Sequence, residues 1–177
     1  GVGILIIPQK PWEEVAKELE VYRGAFRRLN QQEAPAPIVS GFTFCDESED
    51  RAHEMARRYI GAYWESVMDH YEFKRGHLKE TKGYEYYGKF TDKIAQYGDD
   101  KVLDFFVNLQ VWGTPEQCVE RIKDIRQRTG NDSYVAVFSY GGMPYNEAER
   151  NMRLFASAAM PELKQFNPKL ETAVEGV

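Results

Sequence analysis

Cysteine is nearly absent from this chain, and the two present are not spaced for structural work. Cys45 and Cys118 stand far apart among 177 residues, in no CxxC or Cys/His pattern. Neither a disulfide framework nor a zinc site is therefore expected, and a reducing cytoplasm fits best. Long apolar runs are missing too. The longest, Val2 to Ile7, falls well short of the roughly 20 residues that span a bilayer and is too brief for a signal-peptide core. Positive charge is not in excess: 23 Lys and Arg against 28 Asp and Glu leave a net charge of −5 and a pI near 5.3. Without a cationic field the chain is not expected to hold the phosphate backbone of a nucleic acid. No GxGxxG fingerprint, internal repeat or low-complexity tract occurs.

What remains is a chain with 42% hydrophobic and 14% aromatic residues, ample for a packed core, read as one domain or part of one. It opens without Met, directly into Val2-Gly3-Ile4-Leu5-Ile6-Ile7, a near-continuous apolar run of the kind seen in strands buried on both faces. Such a strand is rarely the free end of a fold, so further sequence upstream is expected; a tag remnant supplying Gly1 is the alternative.

Pro8 to Pro11 breaks the run. Val15, Leu19, Tyr22, Phe26 and Leu29 then recur at spacings of four and three, which predicts an amphipathic helix over 12–29. Ile38 to Cys45 reads as a second strand. Asp46, with Glu49 three residues on, predicts a capped helix to about His70, with Ala52, Met55, Ala56, Tyr59, Ile60, Tyr63 and Val67 in its stripe. Residues 72–112 break the rhythm and read as a mostly helical insertion. Thr114, Pro115 and Gln117 make a strong helix start, and Gly130 suits the left-handed C-terminal position. Ser133 to Tyr140 is a third strand, left through Gly141-Gly142-Met143-Pro144. A last helix follows, with Ala148, Met152, Phe155, Ala156 and Ala159 predicted inward. Strands alternating with helices point to a parallel α/β sheet, either doubly wound or a barrel segment.

Gly113-Thr114-Pro115-Glu116-Gln117-Cys118-Val119, the strand end Phe138-Ser139-Tyr140-Gly141-Gly142-Met143-Pro144, then Glu147-Ala148, Phe155-Ala156 and Met160-Pro161 together carry a resemblance. In order and spacing they resemble the C-terminal signature of luciferase-like flavin monooxygenases. The stretch His70-Tyr71-Glu72-Phe73 followed by Lys82-Gly83-Tyr84-Glu85-Tyr86 is similar to an insertion those proteins carry late in the barrel. The resemblance implies a partial (β/α)₈ TIM barrel over residues 1–165: the last three strand-helix units, an insertion at about 72–112, and a tail over 166–177. It implies that the intact protein uses reduced FMN, or a deazaflavin, and O₂ to oxidise a small organic substrate. A flavin reductase as supplier and a homo-oligomeric state are implied as well. Most flavin-anchoring groups of the family lie on strands earlier than any recognised here. A non-catalytic half-barrel that pairs with another chain is the alternative.

In barrel enzymes the chemistry gathers where strands end. Pro8, Gln9, Tyr140, Gly141, Gly142 and Met143 are accordingly the candidate cofactor or substrate rim, and for the glycines a tight turn into the last helix is the competing reading. His70 and His77 flank the start of the insertion and are the candidates for proton transfer, since histidine titrates near neutral pH; a surface role competes. His53 is expected on a solvated helix face. Tyr84, Tyr86, Tyr87 and Phe90 either line a substrate lid or pack the insertion down. Cys45 ends a strand, where chemistry is possible, although a free cysteine is more often a small core residue. No metal site is expected.

Overall fold

The computed structural model describes residues 2–72, 77–84, 87, 92 and 94–166. Tyr86, Phe90 and the tail from 167 lie outside them. Four parallel strands form the sheet: β1 (Leu5–Ile6), β2 (Ile38–Cys45), β3 (Val111–Gly113) and β4 (Ser133–Val137). The helices are α1 (Trp12–Asn30), α2 (Glu49–His70), α3 (Asp99–Asn108), α4 (Pro115–Thr129) and α5 (Tyr145–Leu154). A π-turn over Phe155–Ala159 leads from α5 into α6 (Met160–Gln165).

The expected count of three strands is therefore too low. Val111-Trp112-Gly113 is a strand, and it sits inside what reads in sequence as insertion. Three residues are too few to show a period, and the preceding helical pattern of Val102, Phe106 and Val107 runs almost into them.

Strand β2 is the spine of the sheet. The N–H of Ile38 donates to Ile4 O and that of Asp46 to Gly113 O, both at 3.0 Å. Successive strand residues turn their amides to opposite edges, so β1 and β3 share one edge of β2, near its start and its end. β4 takes the other edge, with Ile38 opposite Ser133 through to Phe42 opposite Val137. β4 thus pairs β2 directly and not its sequence neighbour β3. With β3 confined to Thr43–Cys45, a five-residue strand finds a longer unpaired edge on the far side of β2.

The pleat divides the core. Val39 and Cys45 face Val15 and Leu19 of α1 and Cys118, Val119, Ile122 and Ile125 of α4. On the other face Phe44 meets Ala52, Ala56, Tyr59 and Ile60 of α2 and Phe106 of α3, with Phe42 and Val137 beside them. Helices therefore cover both faces at the C-terminal half of β2. Nearer its start, Leu5, Ile38 and Val135 remain 57%, 41% and 48% exposed. The opening strand is consequently covered on one face only, against the sequence expectation of two.

Several local predictions hold. Thr114 and Gln117 form a reciprocal capping box with Pro115 behind them, and Gly130 closes α4 with φ 63°. The start of α2 differs: Ser48, not Asp46, is its N-cap and accepts from the Arg51 N–H. Asp46 instead accepts from the Ser48 N–H at 3.0 Å while its other oxygen is taken by arginines, a use that a capping pattern does not reveal. Met152 is 49% exposed and Asn151 fully buried, because the register of α5 is set by what Asn151 binds. Among the described residues no helix is long and apolar enough to cross a membrane.

The hydroxyl of Tyr134 meets Thr43 Oγ1 at 3.1 Å, and Tyr140 donates to Thr43 O at 3.3 Å. Burial pushes both phenols well above their ordinary value of 10.0. A raised folded-state pKa means the folded chain holds these protons more tightly than the unfolded one. Their contribution to stability is complete below pH 10 and is lost as pH rises beyond it. In an alkaline ultraviolet titration, two of the eleven tyrosines are expected to stay protonated until the chain unfolds. Eleven tyrosines ionising together in the folded state would contradict this.

Candidate functional site

The C-terminal end of β2 carries a dense charge cluster. Asp46 is 2% exposed because Arg51 and Arg150 converge on one of its oxygens: Arg51 Nη1 donates to Oδ2, and Arg150 reaches it at 2.7 Å through Nη1 and 2.5 Å through Nη2. Arg51 also donates to Glu147 Oε2 at 2.8 Å. Glu147 first, with Asp46 adding to it, raises the pKa of the Arg51 guanidinium. Two carboxylates and two guanidiniums balance, and the cluster ties the loop after β2 to the first turns of α2 and α5.

Behind it, Asn151 completes the sheet. β4 stops at Val137, but β2 runs on to Cys45, so backbone groups on that edge lose their strand partner. The Asn151 amide replaces it, donating to Thr43 O at 2.8 Å and accepting from the Cys45 N–H at 2.7 Å. Cys45 itself is buried. Its thiol lies beside that of Cys118, and this contact together with burial pushes the Cys118 thiol far up. A thiol held protonated is a poor nucleophile. Cys118 is a core group here, its Sγ 3.7 Å from Gly113 O.

The exit loop of β4 folds inward. Tyr140 and Met143 are 8% and 6% exposed and pack with the α2 cluster; the Tyr140 ring lies 4.5 Å from that of Phe42. Gly141 presses onto the carbonyl of Tyr59, while Gly142 has open space around it. Phe42 leads from this group toward the other two rim candidates: its ring is 4.6 Å from that of Tyr63, which lines a cavity with Gln9, and its N–H donates to Gln110 Oε1. Pro8 is buried and its carbonyl is 3.4 Å from Gln110 Nε2.

Gln9 borders a cavity of about 290 Å³. Tyr63, Trp64 and Val67 on one face of α2, with Tyr71 just past its end, form one wall, and Phe106 of α3 continues it. Leu78, Tyr84 and Tyr87 of the insertion stand on the other side. The Trp64 and Phe106 rings are 4.9 Å apart and those of Tyr84 and Tyr87 6.0 Å. Tyr87 donates to Gln9 Oε1, and partial burial raises its pKa, which keeps the phenol a donor. None of the described lining side chains is charged.

His70 and His77 are both exposed and line no part of this cavity among the described residues. Each is next in sequence to a lining residue, Tyr71 and Leu78. His53 is exposed, as expected, with its ring 5.0 Å from Trp112. The sequence reading missed the charge cluster, Asn151 and the role of Trp64. The helical spacing of Trp64, Val67 and Tyr71 is the signal that marks the cavity wall. No group of three or more His, Cys, Asp or Glu among the described residues could hold a metal ion.

A parallel sheet with a helix after each strand defines an α/β protein, with charged residues at a strand's C-terminal end and a cavity under the insertion. Residues 1–133 match the luciferase-like monooxygenase family, and the chain belongs to it. The alkanal monooxygenase alpha chain of Photorhabdus luminescens is 25% identical over 130 residues, 72% of this chain and 36% of that one. The Aliivibrio fischeri alpha chain is 25% identical over 123 residues, 68% and 34% of the two. The chain thus spans about a third of the curated relatives it matches. Among solved structures, monooxygenase RslO1 of Streptomyces bottropensis superposes with a TM-score of 0.55 at 24% identity, covering 90% of this chain and 41% of that one. The oxygenating constituent of 3,6-diketocamphane monooxygenase from Pseudomonas putida, solved with FMN, gives 0.52 at 20% identity, with 89% and 42% covered. These likenesses establish an α/β fold matching part of a luciferase-like TIM barrel.

Proposed function

We propose that this chain is the C-terminal part of a flavin-dependent monooxygenase that uses reduced FMN and O₂ to oxidise a small organic substrate. The observation that carries the reading is a cavity whose described lining is largely aromatic and carries no charge, with Gln9 at its rim, in a chain of this family. Such a cavity favours an organic molecule over water and leaves a few polar groups to orient it. In this reading the α2 wall and the insertion bind and shield the substrate, with the Tyr87–Gln9 hydrogen bond at the rim. His70 and His77, exposed beside the cavity, are the residues to test for proton transfer. A flavin reductase as supplier of reduced flavin and self-association belong to the same proposal, and a deazaflavin in place of FMN is a variant of it.

The charge cluster at the end of β2 does not fit the phosphate of FMN. That group calls for cationic or amide donors with charge to spare, and Arg51 and Arg150 are already committed to Asp46 and Glu147. In this reading the phosphate grip lies on other residues, and no step of the reaction is routed through these arginines. The direct check compares the 177-residue chain with the product of its complete reading frame. Each is supplied with photoreduced FMN, O₂ and candidate substrates, and oxygenated product is measured. The longer product is expected to form it and the 177-residue chain to form little. A longer product that neither perturbs FMN absorbance nor consumes reduced flavin would end the proposal.

A second reading, a non-catalytic module that pairs with another chain, is favoured by the exposed sheet face of Leu5, Ile38 and Val135. Sedimentation of the 177-residue chain as a monomer across micromolar concentrations would remove self-pairing from it.

A further inference from the structure

Resting on the reading of the cavity as the substrate site, we infer that it selects a compact, planar aromatic substrate over a flexible alkanal. Six of the nine described lining residues are aromatic, and two ring pairs face the space from different elements, Trp64 with Phe106 and Tyr84 with Tyr87. Aromatic walls reward a flat guest, because offset and edge-on ring contacts add to the gain from burial. A rigid ring system has few torsions to fix on binding, whereas a long acyl chain must order each of its own.

The test is calorimetric titration of the product of the complete reading frame with 2-naphthaldehyde and, separately, with decanal, followed by the variant Val67→Trp. Naphthaldehyde is expected to bind one to one and at least about tenfold tighter than decanal, a difference within the range that preorganisation gives. Val67→Trp fills the cavity and is expected to abolish binding. Circular dichroism shows whether each variant is folded, and Tyr84→Ala, from an exposed position on the insertion, replaces Val67→Trp should the latter not fold; it is expected to weaken naphthaldehyde binding at least fivefold. Equal or tighter binding of decanal, no saturable binding of naphthaldehyde, or binding unaffected by the folded cavity variants would each overturn the inference. The titration needs no flavin. Naphthaldehyde bound as described, but with no oxygenation by the complete protein, would sink the monooxygenase reading and leave the binding preference standing.

Discussion

Gly141→Ala is expected to cost roughly 3–5 kcal/mol of stability, combining a left-handed backbone with overpacking against a fixed carbonyl. The φ of Gly141 is 56°, and a Cβ built there would lie 1.9 Å from Tyr59 O. That oxygen belongs to the backbone of α2, so it cannot rotate away as a side chain would. Relief requires α2 to move off the β4 exit loop, which disturbs the Phe44 cluster beneath it. The neighbouring Gly142 is the control. Its φ is 71° with nothing within 4 Å of the added methyl, so Gly142→Ala carries only the backbone penalty, about 1–2 kcal/mol. Urea denaturation of both variants separates the two, and equal midpoints would show that the contact with Tyr59 is not made. The comparison bears directly on function. In sequence the two glycines read alike, as a turn or as an approach to a ligand. The structure gives Gly141 to helix packing and leaves Gly142 at the surface of the strand-end loop.

Asn151→Leu, close to isosteric, is expected to destabilise the chain by roughly 1–3 kcal/mol, since it leaves one buried backbone group without a partner. That group is the Cys45 N–H, whereas Thr43 O keeps the Tyr140 hydroxyl. Leucine fills the space and adds apolar area, so a loss of this size isolates the hydrogen bonds from the packing. Met152→Leu, one residue on, is expected to change stability by less than about 0.5 kcal/mol because Met152 lies half in solvent. Thermal or chemical melts of the pair decide the question, and a larger loss at 152 than at 151 would mean that α5 presents a different face to the sheet. The Asp46 cluster sits at the same strand end, so Asn151→Leu is also expected to loosen the loop that Arg51 and Arg150 hold in place.

The sequence by itself determined the elements whose cause is local. The repeat of Val15, Leu19 and Tyr22, the stripe from Ala52 to Val67, the Thr114–Gln117 cap and the left-handed Gly130 each need only neighbours within a few residues. The parallel α/β class follows from their alternation, and of the motifs that carry the family resemblance the one about Gly113 lies within the matched residues 1–133. Only the tertiary structure decided what depends on partners distant in the chain. Val111–Gly113 is a strand because Thr43–Cys45 lies beside it, and three residues carry no period of their own. Asp46 is an ion-pair hub because Arg150, 104 positions away, folds back onto it. Asn151 is buried because β4 ends before β2 does, a mismatch of strand lengths that no single segment encodes. The rim candidates likewise take their surroundings from the packing, with Gln9 at an aromatic cavity and Tyr140 and Met143 in the core. Periodicity reports which face of an element is apolar; what that face meets is settled by the packing of the whole sheet.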